Sequence, residues 1–410
     1  MTRRSTLGRR AEEGRTGPGE LRLPGMVLGG VLVVTAFALL AAALSAIARG
    51  RAGSGYDTWI ADPPRDLGAR LWWALGDVTE PQFYKSPAAA VGLLAGAALA
   101  WWAGRRGHRW AGQAISYGSG LWPWVLGGAS LSLLLSNLAF GWRLEEGWQP
   151  TFVPFVCVAT AVVLVYGRGW HVLLTGAVLG AATTTPIAMI LIDTVTGPVG
   201  LPSVVANTAA MSVGTAMSFL LCRVLPWMRR VPAPEQAPAP DSPPIPATRR
   251  TVLEDAMWTV RRVVTDFTET QFYANELASV GLLAGLTVAV VLDASSPAYG
   301  TGLVPQILLA QVLTSAVGVI LWRRHYRAGG WVPTYISVVS VAPATVLAYG
   351  GALPASLVGA VAGAVLCPAI ARPISARLPK DFHPFIGNTI SMAVATSVIV
   401  PAVGLIPGVG

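Results

Sequence analysis

Asp77-Val-Thr79-Glu80-Pro-Gln82-Phe83-Tyr84, followed shortly by Val91-Gly-Leu-Leu-Ala-Gly96, recurs as Asp266-Phe-Thr268-Glu269-Thr-Gln271-Phe272-Tyr273, followed by Val280-Gly-Leu-Leu-Ala-Gly285. The likeness continues through Tyr117-Gly-Ser-Gly against Tyr299-Gly-Thr-Gly, Gly147-Trp-Gln-Pro-Thr151 against Gly330-Trp-Val-Pro-Thr334, and Asn207-Thr-Ala-Ala-Met211 against Asn388-Thr-Ile-Ser-Met392. Val91 and Val280 are 189 residues apart, and Asn207 and Asn388 are 181 apart. Such small slips need insertions only in short connections, so the chain reads as a duplication of one structural unit.

Composition names the solvent of that unit. With 53% hydrophobic residues, 12% charged, 45 glycines and a mean hydropathy of +0.57, the chain has too little charged surface for a water-soluble protein of 410 residues. Apolar runs able to cross about 30 Å of hydrocarbon lie near 25–47, then at 86–104, 121–141, 151–167, 171–193 and 203–222, and again at 277–293, 302–323, 332–350, 353–375 and 384–404. The fold class expected is therefore an all-α polytopic membrane protein with about eleven transmembrane helices, one leading span plus two five-span repeats. An odd number of spans per repeat starts the second copy on the opposite face, so the repeats should be inverted.

Basic residues argue for the same topology. Placing the N-terminus in the cytoplasm puts 23 of the 29 lysines and arginines inside and the C-terminus outside. This expectation is a multi-pass cell-membrane protein in four parts: 1–64, a cytoplasmic tail, first span and external loop; 65–228, the first repeat; 229–250, a proline-rich cytoplasmic linker; and 251–410, the second repeat. The first apolar run follows arginines but has no good cleavage site, so it reads as a retained span rather than a signal peptide. Segments 65–78 and 251–265, which carry tryptophan and charge, read as amphipathic surface helices or as the first halves of re-entrant hairpins.

Several functions are excluded. The +9 charge is explained by orientation, and the aromatic interleaving of a nucleic-acid groove is missing. Tryptophans such as Trp148, Trp322 and Trp331 fall at span ends and read as interfacial anchors. Cys157, Cys222 and Cys367 are isolated, the four histidines have no ligand spacing, and the Gly-Ser-Gly and Gly-Thr-Gly turns lack the lysine of a phosphate loop. No metal, cofactor or enzymatic chemistry is expected. Charges near hydrocarbon are costly, so the duplicated Glu80 and Glu269, with Gln82, Gln271, Phe83 and Phe272, are the leading candidates for lining a solute path. The competing reading makes them caps of the helix that follows. Asn207, Thr208, Asn388 and Thr389 follow glycine and proline, which points to a broken or late-starting helix exposing polar groups to a cavity, or else to hydrogen-bonded glue between helices. Thr185, in Thr183-Thr-Thr-Pro186, adds a hydroxyl to the same set.

The run Glu-x-Gln-Phe-Tyr ahead of a glycine-rich apolar span resembles the segment opening each half of the urea transporter family. Thr184-Thr-Pro186-Ile ahead of Leu201-Pro202, and Cys367-Pro368 ahead of His383-Pro384, resemble that family's later proline motifs. The resemblance implies two inverted repeats around one pore per protomer, a homotrimer, opening motifs that form re-entrant half-helices, oxygen acceptors at Glu80 and Glu269, and apolar slot walls at Phe83 and Phe272. This sequence departs from the family in Pro150-Thr151 and Pro333-Thr334, in its extra first span, and in carrying Glu in both copies. The function expected is a channel or facilitator for a small, mostly neutral polar solute of urea or amide type. The alternatives are a proton- or ion-coupled secondary transporter, and a membrane-embedded enzyme or non-transporting subunit.

Overall fold

The computed structural model describes residues 21–49, 55–229, 251–327 and 331–409; the N-terminal tail and the proline-rich linker lie outside them. The described residues are all-helical, with no strand among them. In chain order the helices are α1 (Leu23–Ala48), α2 (Gly55–Ala61), α3 (Leu67–Asp77), α4 (Pro87–Arg105), α5 (Trp122–Phe140), α6 (Val158–Tyr166), α7 (Trp170–Leu191) and α8 (Ser203–Val224), then α9 (Val252–Glu269), α10 (Glu276–Leu292), α11 (Val304–Leu321), α12 (Arg323–Arg327), α13 (Tyr335–Val338), α14 (Val341–Ala348), α15 (Leu353–Arg377) and α16 (Phe385–Gly404). Among the described residues, eight segments are long and apolar enough to cross a membrane: α1, α4, α5, α7, α8, α11, α15 and α16 with their short extensions. A chain presenting that much continuous apolar helix has the bilayer as its solvent, and the protein is a multi-pass, membrane-embedded one.

Three of the eleven expected spans differ from simple spans. α10 is continuous but has 17 residues. The runs at 151–167 and 332–350 are each broken. In the first, a short 3-10 turn (Val153–Val156) is cut from α6 at Cys157 (φ −138°, ψ −95°); in the second, α13 is cut from α14 at Ser340 (φ −144°, ψ −90°). Prolines at 150, 154 and 333 remove amide donors near these breaks. Of the two alternatives expected near Asn207 and Asn388, a broken or a late-starting helix, the second describes them: both residues lie in the opening turns of continuous helices that begin just after Pro202 and Pro384. The breaks lie instead in the third expected run of each half.

The repeated Val-Gly-Leu-Leu-Ala-Gly stretches meet each other. α4 crosses α10 so closely that a Cβ on Gly92 would overlap the Gly281 carbonyl, and a Cβ on Gly281 would overlap the Gly92 carbonyl. Gly96 against Leu277 and Ala278, and Gly285 against Ala88 and Ala89, repeat the contact one turn along. Glycines four residues apart form a smooth groove on each helix, and in lipid such backbone approach is a main source of helix association.

α1 packs on α9 and α11. Gly25 and Gly29 lie against Val252, Asp255 and Ala256 of α9, the Arg22 amide donates to Asp255 Oδ2 (2.9 Å), and the Phe37 and Phe267 rings are 5.0 Å apart. The leading span thus buttresses the helix that carries Asp266 and Glu269. α3 and α9, the two amphipathic segments, lead straight into the duplicated motif. Their last turns are buried.

Candidate functional site

Each copy of the motif turns sharply after its phenylalanine. Phe83 (φ 65°) and Lys85 (φ 44°), like Phe272 (φ 62°) and Ala274 (φ 46°), adopt left-handed backbone that non-glycine residues rarely take. The motif threonine holds this turn. Thr79 Oγ1 donates to the Ser86 carbonyl (3.0 Å) and accepts from its amide (3.0 Å), and Thr268 does the same with Asn275 at 3.2 and 3.3 Å. Helix capping falls to other residues. Ser86 accepts from the Ala89 amide at the start of α4, and Asn275 from Leu277 and Ala278 at the start of α10. Glu80 and Glu269 cap neither helix, so the capping alternative fails.

Both glutamates belong to buried ion clusters. In the first, the Lys85 ammonium lies between Asp77 and Glu80, in contact with Asp77 Oδ1 and 2.8 Å from Glu80 Oε2, with all three side chains fully buried. Asn137 Nδ2 (2.9 Å) and Thr151 Oγ1 (2.8 Å) donate to Asp77 Oδ2. Trp148 Nε1 donates to Glu80 Oε1, and the Tyr299 hydroxyl approaches the same oxygen at 3.4 Å. In the second, Arg262 forks to Asp266 Oδ1 and Glu269 Oε2, 2.8 Å each. Ser315 Oγ (2.5 Å) and Thr334 Oγ1 (3.1 Å) donate to Asp266, while Glu269 Oε1 meets no hydrogen-bond donor among the described residues.

The cation enters the two clusters from opposite ends. Arg262 stands 189 residues after Trp73, and Ala274 stands 189 after Lys85. Repeat 1 therefore carries tryptophan where repeat 2 carries arginine, and lysine where repeat 2 carries alanine. The structure accommodates the exchange by folding Lys85 back until its ammonium lies 3.7 Å from the Trp73 ring centroid. The Pro-Thr pairs, which set this chain apart from the urea transporters, have a role here, since Thr151 and Thr334 both bind the cluster aspartate.

The remaining candidates divide. Gln82 and Gln271 face each other: each donates to the other's side-chain oxygen (2.8 and 2.9 Å) and to a backbone carbonyl of the opposite copy, Phe267 or Val78. They clasp the halves together and are not part of the lining of the cavity beside Glu80. Glu80, Phe83, Asn207 and Thr208 line a narrow cavity of about 30 Å³, together with Trp148, Phe152, Met211, Tyr299, Phe385 and Met392. Asn207 is 2% exposed, and its Oδ1 has no hydrogen-bond partner among the described residues. Thr208 bonds back to the Val204 carbonyl, and Thr389 accepts from Ser212 Oγ (2.8 Å), joining α8 to α16. Thr185 pairs with Ser136 (2.8 Å) between α5 and α7, away from this cavity, so the hydroxyl expected of it there is not supplied. Phe272 packs on His383 and Phe385. Asn388 donates to the Tyr335 hydroxyl (3.0 Å) and faces a second cavity.

Sequence reasoning missed Asp77, Asp266, Lys85, Arg262 and the bonding role of Trp148. The 23 basic residues placed inside include Arg262 and the six placed outside include Lys85, but both side chains are buried. Setting them aside leaves the excess of inside arginine intact. The duplicated Asp was a usable signal; Lys85 and Arg262 occupy different motif positions, and no repeat alignment pairs them. Against known proteins, the chain matches no protein-family model and no curated protein.

Proposed function

We propose that the chain is a channel or facilitator for a small, mostly neutral polar solute, built as one leading span and two inverted five-span repeats in a cell membrane, with the N-terminus cytoplasmic and the C-terminus external. The observation that carries this reading is the cavity holding the Glu80 carboxylate and an Asn207 Oδ1 that has no partner among the described residues, inside an apolar helical bundle. A buried oxygen without a donor costs free energy, and a solute bearing N–H groups relieves that cost on entry. Urea or a short amide has the right size and donors for a space of roughly two waters. Phe83, Phe152 and Phe385 supply apolar walls that exclude the bulk of a hydration shell. The homotrimer of the urea-transporter resemblance remains part of this proposal, and the mass of the protein in lipid nanodiscs tests it.

A second reading, proton-coupled transport, is favoured by one specific observation: each buried cluster holds two carboxylates and one cation. An uncompensated buried charge is expensive, so one proton per cluster would restore balance. Purified protein in liposomes, offered urea, short amides, ammonium and small organic acids, separates the readings. Under the channel reading, Glu80→Gln keeps substantial flux, Glu80→Leu abolishes it, and flux ignores an imposed proton gradient. Under the coupled reading, Glu80→Gln is as inactive as Glu80→Leu and uptake follows the gradient. Absence of flux for every solute overturns both and leaves the membrane-embedded enzyme or non-transporting subunit.

A further inference from the structure

The second cavity, about 590 Å³, is lined by Trp322, Trp331, Arg372, Ser375, Pro384 and Asn388, among others. Its one ionised side chain is Arg372, on α15. No carboxylate pairs with that guanidinium among the described residues. Its hydrogen-bond partner is His325 Nε2, 2.7 Å away, and the Trp322 ring centroid lies 5.6 Å from its central carbon. His325, on the short α12 outside the membrane spans, is held below its usual pKa, first by burial and then by Arg372 itself. A guanidinium has donors only, so His325 Nε2 is the acceptor of this bond. A guanidinium pairs most strongly with a carboxylate or phosphate, whose oxygens match its planar fork, and a neutral ring nitrogen engages only one of its five N–H groups. The surroundings add to the imbalance: Arg323 and Arg324 share α12 with His325, and Arg377 follows Arg372 on α15.

From this geometry we propose that the second cavity is a binding site for a phosphate oxyanion. Arg372 is the fork that receives the phosphate oxygens, and Trp322 and Trp331 form an apolar flank for whatever the phosphate is attached to. The assignment is independent of the solute proposed for the Glu80 cavity. Its phosphate can come from a lipid headgroup, as expected where basic and aromatic side chains meet at the end of membrane helices, or from a free phosphate in solution.

The test uses the full chain, purified in a neutral detergent. Thermal unfolding is followed with inorganic phosphate, with phosphatidylglycerol and with phosphatidylcholine as probes, on wild type, on Arg372→Gln and on Arg377→Gln as a control outside the cavity lining. We expect phosphatidylglycerol, inorganic phosphate or both to raise the wild-type midpoint by several degrees, Arg372→Gln to lose the shift and Arg377→Gln to keep it. A response to the lipid alone assigns the site to a headgroup, and a response to inorganic phosphate assigns it to a free anion. Native mass spectrometry of wild type supplies a readout that no variant's folding can obscure: retained phosphatidylglycerol or phosphate, with phosphatidylcholine lost. The proposal is overturned if neither phosphate probe stabilises or is retained above phosphatidylcholine, or if a folded Arg372→Gln responds as wild type does.

Discussion

Replacing Lys85 by Met separates the ion cluster from everything packed around it. Methionine keeps most of the stem volume and lays a thioether on Trp73, so the change removes mainly the charge. Asp77 and Glu80, both fully buried, then face each other without a cation. Removing one partner of a buried ion pair costs about 3–5 kcal/mol, and a desolvated ammonium over an indole is worth about 2 kcal/mol or more. Protonation of one carboxylate recovers part of the loss, so about 3 kcal/mol is the expected net cost, roughly a hundredfold in the folded-to-unfolded ratio. Adding Glu80→Gln to Lys85→Met removes one of the two orphaned charges. That pair should couple by about 1–3 kcal/mol in a double-mutant cycle. Glu80→Gln alone leaves Asp77 paired with Lys85 and should cost only about 1 kcal/mol, chiefly from the amide donors now facing the ammonium. The assay is unfolding of purified protein in one detergent, read by tryptophan fluorescence and by the monodisperse fraction on size exclusion. A Lys85→Met protein within about 1 kcal/mol of wild type, additive with Glu80→Gln, would refute the view that this cluster is a tightly coupled buried unit.

Three further outcomes follow from the packing. Gly92→Ala and Gly281→Ala each drive a methyl group into the carbonyl of the other glycine, so each should cost about 1–3 kcal/mol by overpacking, in near-equal amounts, measured by the same unfolding assay. Gln82→Leu leaves the Gln271 amide without its side-chain partner, at a cost of about 1–3 kcal/mol, whereas Gln82→Leu with Gln271→Leu should recover much of it; a double mutant worse than the sum contradicts the clasp. Reporter domains fused after residues 240 and 410 should report cytoplasmic and external positions respectively, and the same side for both would remove the inverted relation between the halves.

What the sequence by itself determined is the class of protein and the recurrence of one motif along it, because both are written locally. Hydropathy is a sum over about twenty neighbouring residues, and the repeated motif is visible wherever its side chains point. The positions of Glu80, Asn207 and the glycine-rich stretches could also be picked out, since a polar or backbone-exposing residue stands out against an apolar background. Tertiary structure decided what those residues do. Gln82 and Gln271 were expected to line a path, but the crossing of α4 and α10 brings them face to face across 189 residues of sequence, where each satisfies the other. Glu80 and Glu269 had the spacing of caps, yet the left-handed turn after each phenylalanine hands capping to Ser86 and Asn275 and leaves the carboxylates to the cations. Which cation meets them could not be read from the repeat, because Lys85 and Arg262 reach equivalent carboxylates from opposite ends of the motif; a charged group is specified by where its atoms arrive in space, and a long flexible side chain allows more than one sequence position to deliver it there.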